Sequence, residues 1–251
     1  MTDLSNRIAL VTGASRGIGR ATAAKLAAAG ARVIVHYSAS RDAADALVAE
    51  IRANGGQADA VAADLATADG PFVLADAVKG LGIARLDILV ANAGVANFAG
   101  VADETVEDFD RQFAVNVRAP FFTVQQLLPL LGEGSSIVLL SSVVARASFP
   151  GAAAYSATKG AIDVLVRSIA TELGPKGIRV HAISPGPLAT RAASGIPEFD
   201  ELMDKAQSQA PARSLVSIDD VGRATAFLAL DGAKLITGGV LYIDGGYHII
   251  D

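Results

Sequence analysis

Short apolar runs alternate with helix-length segments along the whole chain, and this alternation limits the fold more than any single residue does. Strands are predicted at residues 7–12, 32–37, 58–63, 86–91, 136–141, 179–184 and 240–243. Their Val, Ile, Leu and Ala side chains run nearly without polar interruption, the pattern of strands buried on both faces. Helices are predicted at 17–29, 40–54, 70–79, 106–131, 153–173 and 218–230. Strand-then-helix order repeated in this way gives an α/β fold, a parallel sheet with helices over its faces. Gly30, Gly55 and Gly174 fall where helices should stop in the left-handed conformation. No repeat, linker or low-complexity tract divides residues 1–251, so a single domain is expected. The least regular stretch is 185–215, where Pro and Gly punctuate a mostly apolar sequence. Residues 187–215 within it are expected to fold over a bound substrate.

Composition removes several classes of function. Apolar residues make up 51% of the 251, enough for a large core, while tryptophan is absent, as in Ala-rich helices packed tightly on a sheet. With 26 acidic residues against 21 basic ones and no Lys/Arg cluster, a nucleic-acid partner is not expected. The lack of cysteine excludes disulfides, thiolate metal sites and cysteine nucleophiles. No apolar signal core opens the chain, and no apolar run approaches the roughly 20 residues that span a bilayer. A cytoplasmic protein with no membrane partner is expected.

The stretch Thr12-Gly-Ala-Ser-Arg-Gly-Ile-Gly19 follows the first predicted strand and opens the first predicted helix. Gly13, Gly17 and Gly19 let the backbone turn sharply and approach a phosphate closely, and Ser15, Arg16 and Ile18 lie among them. The helix amino terminus offers free N–H groups and a positive dipole end to a pyrophosphate. Dinucleotide sites commonly carry an acid about 20 residues on, where it binds a ribose 2′-hydroxyl. Here the second strand ends in His36-Tyr37-Ser38-Ala39-Ser40-Arg41, with no acid among them. Arg16, Ser38 and Arg41 could instead bind a 2′-phosphate, so NADP(H) is expected, with NAD(H) as the alternative if the arginines are ordinary surface charges.

Tyr155 and Lys159 stand four residues apart, on one face of a predicted helix, thirteen residues after Ser142. A phenol with an ordinary pKa near 10 is a poor catalyst at neutral pH. A neighbouring ammonium is expected to pull it down, as is the positive charge of an oxidised nicotinamide. Lys159 also has the reach to bond nicotinamide-ribose hydroxyls. Ser142, just past a strand, can hold a substrate oxygen near Tyr155. Asn116 enters through Pro120, which has no N–H for the Asn116 carbonyl. That carbonyl either holds a water on a proton path through Lys159 to Tyr155, or it marks a simple helix kink.

These motifs together resemble the short-chain dehydrogenase/reductase family over essentially the whole chain. Thr12 to Gly19 is similar to its cofactor motif, and Asn92-Ala93-Gly94 to its Asn-Ala-Gly motif beside the adenine. Asp64 and Leu65 fall where the family contacts the adenine ring. Asn116, Ser142, Tyr155 and Lys159 match its catalytic tetrad, and Pro185-Gly186 and Thr190 its Pro-Gly-x-x-x-Thr segment near the nicotinamide. The resemblance implies a Rossmann-type, doubly wound parallel sheet of seven strands and hydride transfer to a carbonyl. It also implies a homotetramer built on two long helices and the carboxyl-terminal strand. Within the family the chain looks most like 3-oxoacyl-thioester and related carbonyl reductases. Residues 190–199 and 244–249 look like parts of enoyl-thioester reductases, whose Tyr-to-Lys interval and glycine spacing differ from those here.

The expected substrate is an apolar carbonyl compound, an acyl thioester or a bulky ketone. Val144, Phe149, Ile196 and Phe199 are its candidate contacts, with Phe98, Val143, Ala152, Ala153, Leu202 and Met203 around them, unless these side chains only pack locally. His181 reads as a hydrogen-bonded core residue, His36 as a residue that either touches the adenine ribose or does not, and His248 as part of a subunit contact. The three are scattered without carboxylates at ligand spacing, so no metal is expected. A cofactor-sensing protein without catalysis is the competing class, disfavoured because a sensor has no need of the phenol.

Overall fold

The computed structural model describes residues 3–188 and 199–250. Its strands are β1 (Ile8–Val11), β2 (Arg32–Tyr37), β3 (Gln57–Ala62), β4 (Ile88–Ala91), β5 (Ser136–Leu140), β6 (Arg179–Pro185) and β7 (Val240–Ile243). Its α-helices are α1 (Gly17–Ala28), α2 (Arg41–Ala53), α3 (Gly70–Lys79), α4 (Val106–Phe113), α5 (Ala119–Leu127), α6 (Ala153–Leu173), α7 (Phe199–Gln209) and α8 (Ile218–Ala229). The strands form one seven-stranded parallel sheet in the order β3-β2-β1-β4-β5-β6-β7. The chain builds outward from β1 to β3, then crosses back to β4 and builds the other way. That reversal opens a crevice at the carboxyl ends of β1 and β4, where ligands of open α/β sheets bind.

Both faces of the sheet are apolar because successive side chains point to opposite sides. Leu10, Ile34, Leu89 and Ile137 stand in register and pack with Leu74, Leu127 and Val166 from α3, α5 and α6. One residue on, Val11, Val35, Val90 and Val138 pack against Leu26, Leu47 and Val221 from α1, α2 and α8. The expected strands and most expected helices agree with these elements within two residues at either end.

Three expectations need correction. The helix predicted over 106–131 is broken: between α4 and α5 lies a π turn, Ala114–Arg118, where the N–H of Ala119 reaches back to the Ala114 carbonyl. Pro120, with no N–H to give, sits just past the turn, as expected where the regular ladder slips. Gly174 is not left-handed; it has φ −52° and starts a short 3-10 turn, and the reversal falls at Gly177, with φ +72°. A Cβ on Gly177 would also lie 2.9 Å from Glu133 Cγ. Finally, the stretch read as irregular contains α7, whose acidic first turn, Asp200 and Glu201, suits a helix amino terminus. Among the described residues no helix is long and apolar enough to cross a membrane. Nor, among them, does any group of three or more His, Cys, Asp or Glu side chains form a metal site.

Candidate active site

The glycine turn is held from below by β4. Asn92 Nδ2 donates to the carbonyls of Thr12 at 2.8 Å and Gly13 at 3.3 Å. Thr12 Oγ1 accepts from the N–H groups of Asn92 and Ala93, at 3.0 and 2.9 Å. The three glycines then serve different needs. A Cβ on Gly19 would meet Asn92 Nδ2 and the Gly13 carbonyl, each at 2.5 Å, and one on Gly13 would meet Ala93 Cα at 2.9 Å. Gly17 has φ +54° and nothing within 4 Å of a Cβ position, so its bare backbone faces open space at the start of α1. With the unpaired N–H groups of the first helical turn, that opening fits the pyrophosphate of a dinucleotide. Gly19→Ala is therefore expected to destabilise the fold by about 1–3 kcal/mol and to weaken NADPH binding. A thermal melt and a fluorescence titration would check both, and an unchanged melt would show that the contact is not tight.

His36 takes a part that its sequence position did not disclose. Its Nδ1 accepts the N–H of Gly13 at 3.0 Å, and its Nε2 lies 3.1 Å from the Ala63 carbonyl. Burial pushes its pKa down to about 4, so the ring is neutral, with Nε2 carrying the proton. One ring nitrogen is spent on the glycine turn and the other on the Ala63 carbonyl just past β3, leaving none for a ribose. Arg16 is exposed at the α1 N-cap and donates to Ser40 Oγ at 3.5 Å, and Arg41 pairs with Asp45 at 3.4 Å. With half-buried Tyr37 and exposed Ser38 they ring the end of β2. Asp64 caps its own turn by accepting from Ala66 N–H at 3.0 Å, whereas Leu65 is buried in the core and can meet a ligand only through its backbone.

Asn116, in the π turn, acts visibly through its side chain. Its Nδ2 donates to the Val95 carbonyl at 2.8 Å and to Thr158 Oγ1 at 3.1 Å, and its Oδ1 accepts from Val95 N–H at 2.9 Å. The loop after β4 is thereby pinned to α6 beside Lys159. A Cβ on Gly94 would lie 3.3 Å from Asn116 Oδ1 and 3.9 Å from Lys159 Nζ.

Ser142 leaves β5 in extended geometry and caps the following 3-10 turn. Its hydroxyl lies beside Tyr155. Burial pushes the phenol up to about 12, and Ser142, which draws it down, only partly offsets this. Burial, rather than the downward pull expected from Lys159, therefore sets this group. Lys159 Nζ, 5.5 Å from the centre of the Tyr155 ring, donates instead to the Leu140 carbonyl at 2.7 Å. Burial draws the Lys159 pKa down to about 8, with Asp163 opposing. At neutral pH the pair is thus a protonated phenol beside an ammonium, the state from which a proton can be given.

These groups open onto one cavity at the carboxyl end of the sheet. Its walls include Ile18, Phe98, Val143, Val144, Phe149, Ala152, Pro185, Gly186, Leu188, Phe199 and Leu202, with Ser141, Ser142 and Tyr155 as the hydroxyls. The Phe98 ring stands edge-on to Tyr155 with centroids 5.9 Å apart. Ala153 and Met203 stay out of the wall, Ala96, Ser141 and Pro150 join it unforeseen, and Pro187 and Leu188 come from the expected cover. Thr190 and Ile196, with residues 189–198 of the expected cover, lie outside the described residues. A Cβ on Gly186 would lie 2.7 Å from Asp244 Cβ. Asp244 in turn pairs with His248 Nδ1 at 2.8 Å, and the His248 ring stacks on Tyr242. His181 is buried in the core, 3.4 Å from Arg179 Nη1 through its Nε2.

Residues 13–248 match the family model described as Enoyl-(Acyl carrier protein) reductase. A versicolorin reductase of Emericella nidulans is 40% identical, over 97% of this chain and 96% of that protein. A probable tetrahydroxynaphthalene reductase of Zymoseptoria tritici is 37% identical, over 96% of this chain and 94% of that one. The crystal structure of an angucycline C-6 ketoreductase, LanV, with bound NADP superposes with a TM-score of 0.91 at 38% identity, covering 98% of this chain and 97% of that chain. The chain belongs to the short-chain dehydrogenase/reductase family of oxidoreductases.

Proposed function

We propose that the chain uses NADPH to reduce the carbonyl of an uncharged, hydrophobic ketone to the alcohol, with Tyr155 as proton donor. One observation carries this reading: the neighbouring Ser142 and Tyr155 hydroxyls are the polar side chains left to face a ligand on otherwise apolar described walls. The third wall hydroxyl, Ser141, is already spent on Asp163. A ketone oxygen between Ser142 and Tyr155 accepts from both. When bound, the dinucleotide supplies hydride; Gly13, Ser15, Arg16, Gly17, Ile18, Gly19, Tyr37, Ser38, Asp64, Leu65, Asn92, Ala93, Gly94, Pro185, Gly186 and Thr190 would hold it together with Tyr155 and Lys159. Ser142 orients the substrate oxygen, Tyr155 protonates it, and Lys159 keeps positive charge beside the phenol. The Asn116 carbonyl, to which Pro120 has no N–H to give, is assigned to hold the water that returns the proton. The described parts of the expected cover, residues 187–188 and 199–215, lie over the substrate, with Val144, Phe149 and Phe199 against it.

Relatives named for versicolorin, tetrahydroxynaphthalene and angucycline ketoreduction support a fused-ring ketone, and 3-oxoacyl thioesters belong to the same reaction class. The description of the matching family model favours a second reading, reduction of a 2-enoyl thioester. Offering 2-tetralone with matched 3-oxoacyl and 2-enoyl thioesters, and following NADPH absorbance, separates the two. Turnover of the ketones but not of the enoyl compound is expected, and preference for the enoyl thioester would overturn the proposal. Arg16→Ala is expected to raise KM for NADPH about tenfold or more and to leave NADH kinetics nearly unchanged. Equal effects on both cofactors would remove Arg16 from the 2′-phosphate. Exposed Val106, Phe109 and Phe121 on α4 and α5, with Leu241 on β7, support the homotetramer.

A further inference from the structure

Tyr155, Lys159 and Asp163 follow one another at four-residue intervals along α6 and share a face of it. Two bonds tie that face to the end of β5. Lys159 Nζ donates to the Leu140 carbonyl at 2.7 Å, and Ser141 Oγ donates to Asp163 Oδ1 at 2.6 Å, a short, charge-assisted length. Ser141 Oγ also lies 3.4 Å from the Lys159 carbonyl, and Ser141 N–H donates to Ile183 of β6 at 2.8 Å. Ser141 is thus gripped from both sides, one residue before Ser142. Asp163 is half-buried; burial pushes its carboxyl up, while the Ser141 bond and the charges of Arg167, Lys159 and Arg146 draw it down. Arg146 comes from beyond β5 and the other two from α6. Asp163 is also the charge that opposes the effect of burial on Lys159.

We propose that Asp163 is a positioning residue: through Ser141 it fixes the backbone that presents Ser142, and its negative charge holds Lys159 as the ammonium. This rests on the carbonyl-reductase reading of the same site. Asp163→Asn keeps an acceptor for Ser141 but removes the charge, which frees the lysine to lose its proton more readily. In protein labelled with 13C at lysine Cε, the Lys159 resonance is identified by its absence from Lys159→Arg. Without cofactor, its titration midpoint is expected about one pH unit lower in Asp163→Asn than in the parent. The alkaline limb of kcat/KM should move down with it, and Asp163→Glu should restore both. Ser141→Ala, which keeps the charge and loses the grip, should lower kcat without moving the lysine midpoint. A parental midpoint and a parental alkaline limb in Asp163→Asn would overturn the proposal. If that variant does not fold by circular dichroism, parental kcat in Ser141→Ala would overturn it. The lysine titration needs no turnover, so its failure is distinct from failure of the reductase reading, which Tyr155→Phe tests separately.

Discussion

Tyr155→Phe is expected to lose about 10²–10⁴-fold in kcat while binding NADPH nearly as the parent does. The substitution removes one oxygen from a ring whose edge contact with Phe98, centroid to centroid 5.9 Å, needs only carbon. It therefore leaves the packing of the cavity in place and takes away only the proton. The direction of the phenol's shift makes the effect large. Burial raises it to about 12, so the parent carries that proton through the whole neutral range and regains it from solvent after each turnover. Ser142→Ala should cost less, since it removes an orienting bond and leaves the donor. Single-turnover kinetics with a fused-ring ketone, beside a fluorescence titration of NADPH, would check this. Near-parental turnover in the Phe variant would remove Tyr155 from the reaction.

Stability is expected to fall steeply as the pH drops from 6.5 towards 4, for a reason unrelated to catalysis. Burial depresses the pKa of both His36 and His181 to about 4, against an ordinary value of 6.5. In the unfolded chain these imidazoles take up protons first, so the stability they contribute is fully present above pH 6.5. It is lost progressively as the pH falls through the folded values. Each histidine accounts for up to ~3 kcal/mol by pH 4, a large share of the roughly 5–15 kcal/mol that holds a domain together. Denaturant unfolding at pH 7 and pH 5 should show the difference, and His181→Asn should reduce the slope. His36→Asn should reduce it too, and should also weaken NADPH binding because the Gly13 N–H loses its imidazole partner. A pH slope unchanged in both variants would show that neither histidine titrates as its burial requires.

The sheet was legible because its evidence is local. Continuous runs such as residues 8–11 and 136–140 declare strands buried on both faces, and the glycine turn declares a helix amino terminus at a fixed place. Tyr155 and Lys159 were legible for the same reason, through the four-residue repeat of one helix. Contacts between distant segments were not. His36 bonds Gly13 across 23 residues, and no pattern around either residue signals it. Asp163 could have been found, since it continues the Tyr155–Lys159 spacing by one more turn, but its partner Ser141 lies 22 residues away. The phenol's shift was misjudged because sequence spacing does not disclose burial, which outweighs the nearby ammonium; Lys159 spends its hydrogen bond on the Leu140 carbonyl. Pro120 disclosed a break but not its form, since a missing donor can yield a kink or a π turn equally well.

A cyclic enone that carries both a ketone and a conjugated double bond, incubated with NADPH deuterated at C4, puts the two competing reductions in one molecule. Product NMR should find the label on the carbinol carbon, with the double bond intact, in the parent and no labelled product in Tyr155→Phe. Deuterium at the β carbon of a saturated ketone would contradict carbonyl reduction by this chain.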